Sequence, residues 1–259
     1  PAETAFFIKA DPVTVNAKAG QGSGNHKITD LGLYVNGQFQ GSYPINSILP
    51  VVSKGETTRI NLLAGIKNNG ISDTRVFWPI YDLLEIDTLL PGGSTHTIPI
   101  TFLYNPSTVF AWQEDFNSSI GYTIKKSTIS ETSFSIAPAS ESFEGGSAEI
   151  VLNNGAVVAQ VESSESGYTL PSGSSNVYLE FNYKSNEEFV VGLIDDNGLT
   201  RPAINVNPQA QWNKIYVQLS FAVNSPNVAK NYKVYFRMLK KTADTPRLFL
   251  DNIKLVYLR

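Results

Sequence analysis

Three segments of the sequence each place a tyrosine among hydrogen-bonding side chains on one face of a predicted strand. In segments 177–184, 213–221 and 232–240, apolar residues alternate with polar or tyrosine residues, which is the period of a strand with two different faces. An aromatic ring stacks on the C–H face of a sugar, while amides, carboxylates and guanidinium groups bind its hydroxyls. The polar faces therefore predict a glycan-binding surface made of Tyr178, Glu180, Asn182, Tyr216, Gln218, Tyr235 and Arg237. An ordinary solvated sheet surface, which shows the same composition, is the alternative.

Trp212 extends this set of candidate ligand-binding residues. It follows the loop-forming stretch 207–211 and precedes a strand, so it lies at a loop-to-strand junction. A tryptophan there either caps the apolar core or lines a binding site at the edge of a loop. We count it among the candidates and leave both interpretations open.

Asp251 is a candidate for a buried carboxylate near the end of the chain. Strict alternation puts it on the same side as Phe249, Ile253 and Leu255. A buried carboxylate needs hydrogen bonds, an ion pair or a metal ion. The sequence leaves two interpretations: acceptance of hydrogen bonds from backbone amides in a turn, or coordination of a hard cation with further oxygens from Glu114 and Asp115.

Other acidic groups do not form a recognisable catalytic pattern. Glutamates at positions 141, 144, 149, 187 and 188 show no spacing that would bring two carboxylates together across a cleft, as glycoside hydrolysis requires. The run Asp195-Asp196-Asn197-Gly198 lacks the closing glutamate of an EF-hand and predicts a hairpin turn. We therefore expect no enzymatic activity.

Composition excludes several further classes of site and partner. The chain of 259 residues has no cysteine and only two histidines, His26 and His96, which rules out thiolate zinc sites, cysteine nucleophiles, disulfides and a three-histidine metal site. Its net charge is −3, with Lys and Arg scattered along the sequence, so a nucleic-acid partner is not expected. No apolar run reaches the length of a membrane-spanning helix.

The sequence begins Pro1-Ala2-Glu3-Thr4, without an initiator methionine or a signal-peptide pattern. We expect an exported protein whose targeting segment has been removed.

Period-2 alternation and frequent glycine and proline predict an all-β protein of two domains. Residues 1–105 are expected to form a small Ig-like β-sandwich. Residues 106–259, with about nine predicted strands, are expected to form a jelly-roll β-sandwich. Within the first domain, Asn36-Gly37 predicts a type I′ hairpin turn.

The first domain resembles small surface β-domains of the PEGA type through the segments 34–41 and 54–60, which carry a "V-N-G-x-x-x-G" hairpin and a "G-x-x-x-x-I" stretch. Together with segments 65–72 and 77–81, it is similar to a group of surface lipoproteins of Bacteroidetes. The resemblance implies a location at the outer membrane, the cell surface or the periplasm. It also implies a membrane association only through a lipidated N-terminal cysteine, and no such cysteine occurs in this chain.

The second domain resembles jelly-roll, galactose-binding-like carbohydrate-binding modules at its two ends. Residues 112–117 (WQEDFN) are similar to their first strand, and residues 248–255 (LFLDNIKL) to their final "D-N-I-x-L" strand. The resemblance implies oligosaccharide or polysaccharide binding. It also implies a structural calcium ion between the first and last strands, where Asp251, Asp115 and Glu114 would be its ligands.

The sequence as a whole predicts a non-enzymatic binding protein whose second domain contacts a glycan. The alternative is an adaptor that binds another surface protein, and a glycoside hydrolase is a third hypothesis. Glycan binding predicts that Tyr178, Tyr216 and Tyr235 are exposed together. The adaptor hypothesis predicts a contiguous apolar patch of more than a few hundred Å².

Overall fold

A computed structural model of the chain describes residues 4–163, 166–171, 176–223 and 231–259. It divides into two compact units, residues 1–108 (unit 1) and 109–259 (unit 2). The fold is almost entirely β, as predicted, and the described residues contain a single helix of four residues. No helix in the described part of the chain is long and apolar enough to cross a membrane. Residues 1–3, on which the expectation of export partly depends, lie outside the described residues.

Unit 1 is built from two sheets. One has the strand order β4-β1-β8, and the other has the order β3-β2-β5-β6 with β7 paired to β5. Buried side chains from both sheets, including Phe6, Val51, Leu33 and Leu62, make its core. The strands are β1 Thr4–Asn16, β2 Asp30–Val35, β3 Gln38–Pro44, β4 Ile48–Ser53, β5 Thr58–Lys67, β6 Arg75–Phe77, β7 Leu84–Thr88 and β8 Thr95–Leu103.

The hairpin turn predicted at Asn36-Gly37 is confirmed. Val35 pairs with Gln38 across the turn, and the two turn residues have φ angles of 49° and 80°. Both values lie in the left-handed region that a type I′ turn requires.

Unit 2 is a sandwich of two sheets, which confirms the predicted fold class. Sheet I has the order β11-β12-β20-β15-β18 with β9 paired to β20, and sheet II has the order β10-β13-β19-β16-β17 with β14 paired to β19. The elements are β9 Thr108–Glu114, β10 Ile124–Lys126, β11 Phe134–Ile136, β12 Ala148–Val151, β13 Val158–Ser163, β14 Tyr168–Thr169, β15 Val177–Ser185, β16 Phe189–Asp195, β17 Thr200–Val206, β18 Gln209–Gln218, α1 Ser220–Val223, β19 Asn231–Leu239 and β20 Arg247–Leu258.

The core of unit 2 lies between its two sheets. Leu179 and Phe181 of sheet I pack in one buried cluster with Val234 and Phe236 of sheet II. The alternate residues of the same strands therefore lie on the outer faces of the sandwich.

A bulge in β20 changes the alternation that the sequence suggests for Asp251. Asn182 pairs with Asp251, whereas Glu180 pairs with Lys254, so one extra residue is inserted in β20. Asn252 has a φ angle of 47°, which is typical of a bulge. Because of this insertion, Ile253 and Leu255 point into the core, whereas Asp251 and Phe249 lie on the opposite face. The predicted common face is therefore confirmed for Phe249 and wrong for Ile253 and Leu255.

Candidate ligand-binding surface

The three tyrosines predicted to form one exposed platform do not do so. Tyr178 and Tyr216 lie on β15 and β18 of sheet I, whereas Tyr235 lies on β19 of sheet II. Their exposed fractions are 3%, 1% and 0%. The prediction was wrong because alternation assigns a residue to one face of its own strand but does not show which sheet the strand joins or what covers that face.

The outer face of sheet I holds a buried group of charges. The Glu180 carboxylate lies 2.9 Å from Lys214 Nζ and 3.6 Å from Lys254 Nζ, and all three side chains are buried. Burial lowers the pKa of Lys254 to about 8, against the opposing effect of Glu180. Ion pairing within the group accounts for the burial of these three charges, so no ligand is needed to explain it. Asn182 is also buried in this sheet, and Gln218, which pairs with Tyr178, is half-buried.

Trp212 is part of a separate cluster of aromatic and charged side chains. Its Nε1–H donates a hydrogen bond of 3.1 Å to the Glu141 carbonyl, and its ring packs against Phe143 and Phe249. Lys184 lies over the rings of Trp212 and Phe249 and forms an ion pair with the Glu141 carboxylate. The half-buried Trp212 therefore packs against two aromatic rings and a lysine.

The structure does not bring the three expected metal ligands together. Asp251 is fully buried, and its carboxylate accepts hydrogen bonds from the Glu144 N–H (3.1 Å), the Ser147 hydroxyl (2.8 Å) and the Asn252 N–H (2.7 Å). This matches the hydrogen-bonded interpretation. Burial, together with the nearby Glu144 carboxylate, raises the pKa of Asp251 to about 6, although the three hydrogen bonds act against that shift.

Glu114 and Asp115 have local partners instead. Glu114 accepts hydrogen bonds from the Phe116 and Thr123 N–H groups and the Thr123 hydroxyl, and Asp115 accepts one from the Asn117 N–H. Within the ranges that the structure describes, no three His, Cys, Asp or Glu side chains form a group that could hold a metal. The calcium ion implied by the resemblance stays a prediction.

The outer face of sheet II carries a continuous row of polar side chains. Lys233, Tyr235 and Arg237 alternate along β19, opposite the core residues Val234 and Phe236. On the adjacent strand β13, Glu162 pairs with Tyr235 and Gln160 pairs with Arg237. The strand register therefore places two cations, an aromatic hydroxyl, a carboxylate and an amide on neighbouring positions of one face.

Hydrogen bonds and charge contacts hold this row in place. Gln160 accepts a hydrogen bond from Arg237 Nε and donates to Ser127 Oγ (3.1 Å) and Glu162 Oε1 (2.7 Å). Lys233 Nζ lies 3.8 Å from Glu162 Oε2. The buried Gln160 thus fixes the orientations of Arg237 and Glu162, while Lys233 and Arg237 remain half-exposed.

Tyr235 occupies the centre of the row. A Cβ atom added to Gly192 on β16 would lie 2.9 Å from Tyr235 Cε1, so the ring fills space that only glycine leaves open. The Arg237 guanidinium lies 5.2 Å from the centre of the ring. Burial raises the pKa of Tyr235, and its hydroxyl has no hydrogen-bond partner among the described residues.

A cleft of about 300 Å³ lies at the end of the same sheet. It is formed where the β16–β17 turn meets the start of β19 and residues 166–167, and Lys233 belongs both to the cleft and to the polar row. The lining residues are Ser166, Gly167, Ile194, Asp195, Asp196, Gly198, Asn231, Tyr232 and Lys233. The sequence did not suggest this cleft because its walls come from three separated segments.

The turn that forms one wall of the cleft is rigidly held. Asp195 accepts hydrogen bonds from the N–H groups of Asn197 and Leu199, and its Oδ2 lies 3.0 and 2.8 Å from two Arg201 nitrogens. Burial opposes ionisation, but these hydrogen bonds and the Arg201 charge outweigh it and hold the pKa of Asp195 below its usual value. The predicted hairpin turn is confirmed, and its carboxylate is a structural group.

No protein-family model matches the sequence, and no curated protein matches it significantly. Among solved structures, the chain is similar to an exo-β-agarase (10% identity, TM-score 0.42), covering 58% of this chain but only 26% of the agarase. It is also similar to the K3 adhesin domain of Lys-gingipain from Porphyromonas gingivalis w83 (15% identity, 57% of this chain, 98% of that chain, TM-score 0.41). A third similar structure is the xylan-binding domain from CBM 22 (15% identity, 57% of this chain, 94% of that chain, TM-score 0.39). At these scores the likenesses carry no conclusion about ligand or activity.

Proposed function

We propose that the protein is a non-enzymatic, exported carbohydrate-binding protein that acts at the cell surface or in the periplasm. In this proposal an oligosaccharide lies along the outer face of sheet II and ends in the adjoining cleft. The tyrosine platform and the Trp212 surface suggested by the sequence are not part of this site, whereas Arg237 is.

The observation that carries the proposal is the continuity between the cleft and the polar row through Lys233. A sugar needs several hydrogen-bonding groups on a surface it can reach, and loop ends supported by a rigid sheet commonly provide them. Lys233 and Arg237 are half-exposed, and the Arg237 Nη groups have no partner within the described residues. They are therefore available to hydroxyl groups of a ligand.

The state of the cleft carboxylates argues against hydrolysis. Glycoside hydrolases use two separated carboxyl groups, one of them protonated near neutral pH. Asp195 is engaged by Arg201 and backbone amides, and its pKa is held low. Its neighbour Asp196 follows directly in the chain, so the two do not face each other across the cleft as an acid and a base would.

An adaptor that binds a protein is the second candidate, and exposed apolar side chains in unit 1 favour it. Phe39 on β3 and both Ile48 and Val52 on β4 are 46–54% exposed. Both strands are at the edges of their sheets, where an incoming strand could pair. This surface belongs to unit 1, so substitutions in unit 2 separate the two candidates.

The proposal is tested with the full chain on a glycan array. The variants are Arg237→Ala on the polar row and Asp196→Ala in the cleft, with Arg247→Ala as the matched control because Arg247 is a half-exposed arginine on sheet I. We expect a glycan signal that both site variants reduce by tenfold or more and that the control retains. Absence of any glycan signal from the wild-type chain, or equal signals from all variants, would refute the proposal and favour the adaptor.

A further inference from the structure

The outer face of sheet II is cationic although the protein as a whole is acidic. Lys233 and Arg237 lie on β19, and Lys125 on β10 pairs with Glu162 and shares its face. Glu162 is the one carboxylate that the described strands of this sheet place on that face. The strands of the face therefore carry three cations and one anion in a chain whose net charge is −3. The adjoining cleft adds Asp195, which is paired with Arg201, and Asp196, so the cationic character belongs to the strands rather than to the cleft.

The hydrogen-bonding groups of this face are mainly donors. Lysine and arginine have no acceptor atoms, so neither can accept a hydrogen bond from a sugar hydroxyl. Gln160 is buried and already occupied by Arg237, Ser127 and Glu162. A ligand rich in acceptors fits such a surface better than one whose hydroxyls must also donate.

The two cations of β19 are arranged along a line. They are four residues apart, and at about 3.4 Å per residue their Cα atoms are roughly 13 to 14 Å apart. Arg237 uses Nε for Gln160 and leaves its Nη groups for a planar, two-oxygen anion. The 3.8 Å separation between Lys233 and Glu162 exceeds a normal hydrogen bond, so this contact does not occupy the ammonium group.

Tyr235 lies between the two cations but offers no group to a ligand. Its side chain is fully buried, and its hydroxyl is closed to the surface of the face. Recognition on this face therefore depends on the two half-exposed cations, Lys233 and Arg237.

From this arrangement we infer that the face selects an anionic glycan, a chain whose sugars carry carboxylate or sulfate groups that bind to Lys233 and Arg237. This inference rests on the proposed function and narrows its ligand class. Hydrogen bonds between charged partners are about twice as strong as neutral ones, and exposed charge contacts weaken as salt rises.

The experiment measures binding of the full chain to oligogalacturonate, to its methyl ester, and to neutral and sulfated galactan oligosaccharides, by calorimetry at low and high sodium chloride. The ester has the same backbone without the charge. We expect at least tenfold tighter binding of one anionic probe than of its neutral counterpart, with the uronate and sulfate arms showing which anion is preferred. High salt should reduce this preference.

Substitutions of Lys233 and Arg237 test whether these two cations cause the preference for the anionic probe. Lys233→Ala and Arg237→Ala should each remove most of the preference for the anionic probe, Lys233→Arg should retain it, and the control Arg247→Ala should not change it. Equal binding of charged and neutral probes overturns the anionic inference but leaves the proposed function intact. Absence of binding to probes of either kind, together with a blank glycan array, overturns both.

Discussion

Two buried carboxylates of unit 2 show how the number of hydrogen-bond donors decides the charge state of a residue. Glu187 accepts hydrogen bonds from the N–H groups of Lys241, Thr242 and Ala243 and from the Thr242 hydroxyl. Burial opposes its ionisation, but these bonds prevail and lower its pKa to about 2. Asp251 has fewer donors and the Glu144 carboxylate nearby, so burial prevails and its pKa rises to about 6. The two side chains therefore affect stability in opposite directions as pH changes.

Replacement of Asp251 by Asn should change how stability depends on pH. The folded pKa lies above the unfolded value, so the folded state holds the extra proton between about pH 4 and pH 6 and the wild type loses stability as pH rises through that range. The free energy of unfolding of Asp251→Asn, relative to that of the wild type, should therefore rise as pH increases from 4 to 6. Chemical denaturation at a series of pH values measures the difference. A constant difference, or one that falls with pH, would contradict the prediction.

Asp251→Ala is the companion variant. It removes the acceptor of three hydrogen bonds, so we expect a loss of about 1–3 kcal/mol below pH 4, confined to unit 2. The loss should be smaller above pH 6, where the wild type has already lost stability through ionisation of Asp251, and the same chemical denaturation series measures it.

At the scale of the strands, irregular positions organise the candidate site. The pairing of β16 with β17 shifts register between Val191 and Gly192, and β17 is an edge strand that contains Pro202. Proline cannot donate to a strand ladder, which restricts it to edge strands such as β17. The same holds for β4, an edge strand with Pro50.

Gly192→Ala should destabilise unit 2 and disturb the polar row. An added Cβ would lie 2.4 Å from the Arg201 carbonyl oxygen and 2.9 Å from Tyr235 Cε1, so both strand β17 and the Tyr235 ring would have to move. We expect a loss of about 1–3 kcal/mol, the usual cost of overpacking. Urea denaturation measures it, with Val190→Ala on the same strand and face as a control that introduces no clash. Unchanged stability of Gly192→Ala would show that the backbone moves apart at little cost.

For the whole molecule, the division into two units makes unit 2 a domain with its own core. Its buried cluster runs from Trp112 to Leu255 and draws on both of its sheets. The boundary after Thr108 is close to the one expected from the sequence, after residue 105. A contiguous core within one segment is the usual condition for independent folding.

Residues 109–259 produced alone should therefore fold. We expect a far-ultraviolet circular dichroism spectrum typical of β-structure and a single cooperative unfolding transition. The full chain serves as the reference for the spectrum and the transition. A segment that is soluble but shows no cooperative transition would mean that unit 2 needs unit 1 to complete its fold.

The sequence by itself determined the local properties of the chain. Period-2 alternation identified most strands and the all-β class, Asn36-Gly37 predicted its turn, and the position of Asp251 among apolar residues indicated a buried carboxylate. These features depend on neighbours a few residues apart. Only the tertiary structure decided that Tyr178 and Tyr235 lie on different sheets, that a bulge at Asn252 changes the face of Asp251, and that Lys233 joins the polar row to a cleft. Sheet membership, coverage of a face and the meeting of distant loops arise from long-range pairing, which leaves no periodic signal in the sequence.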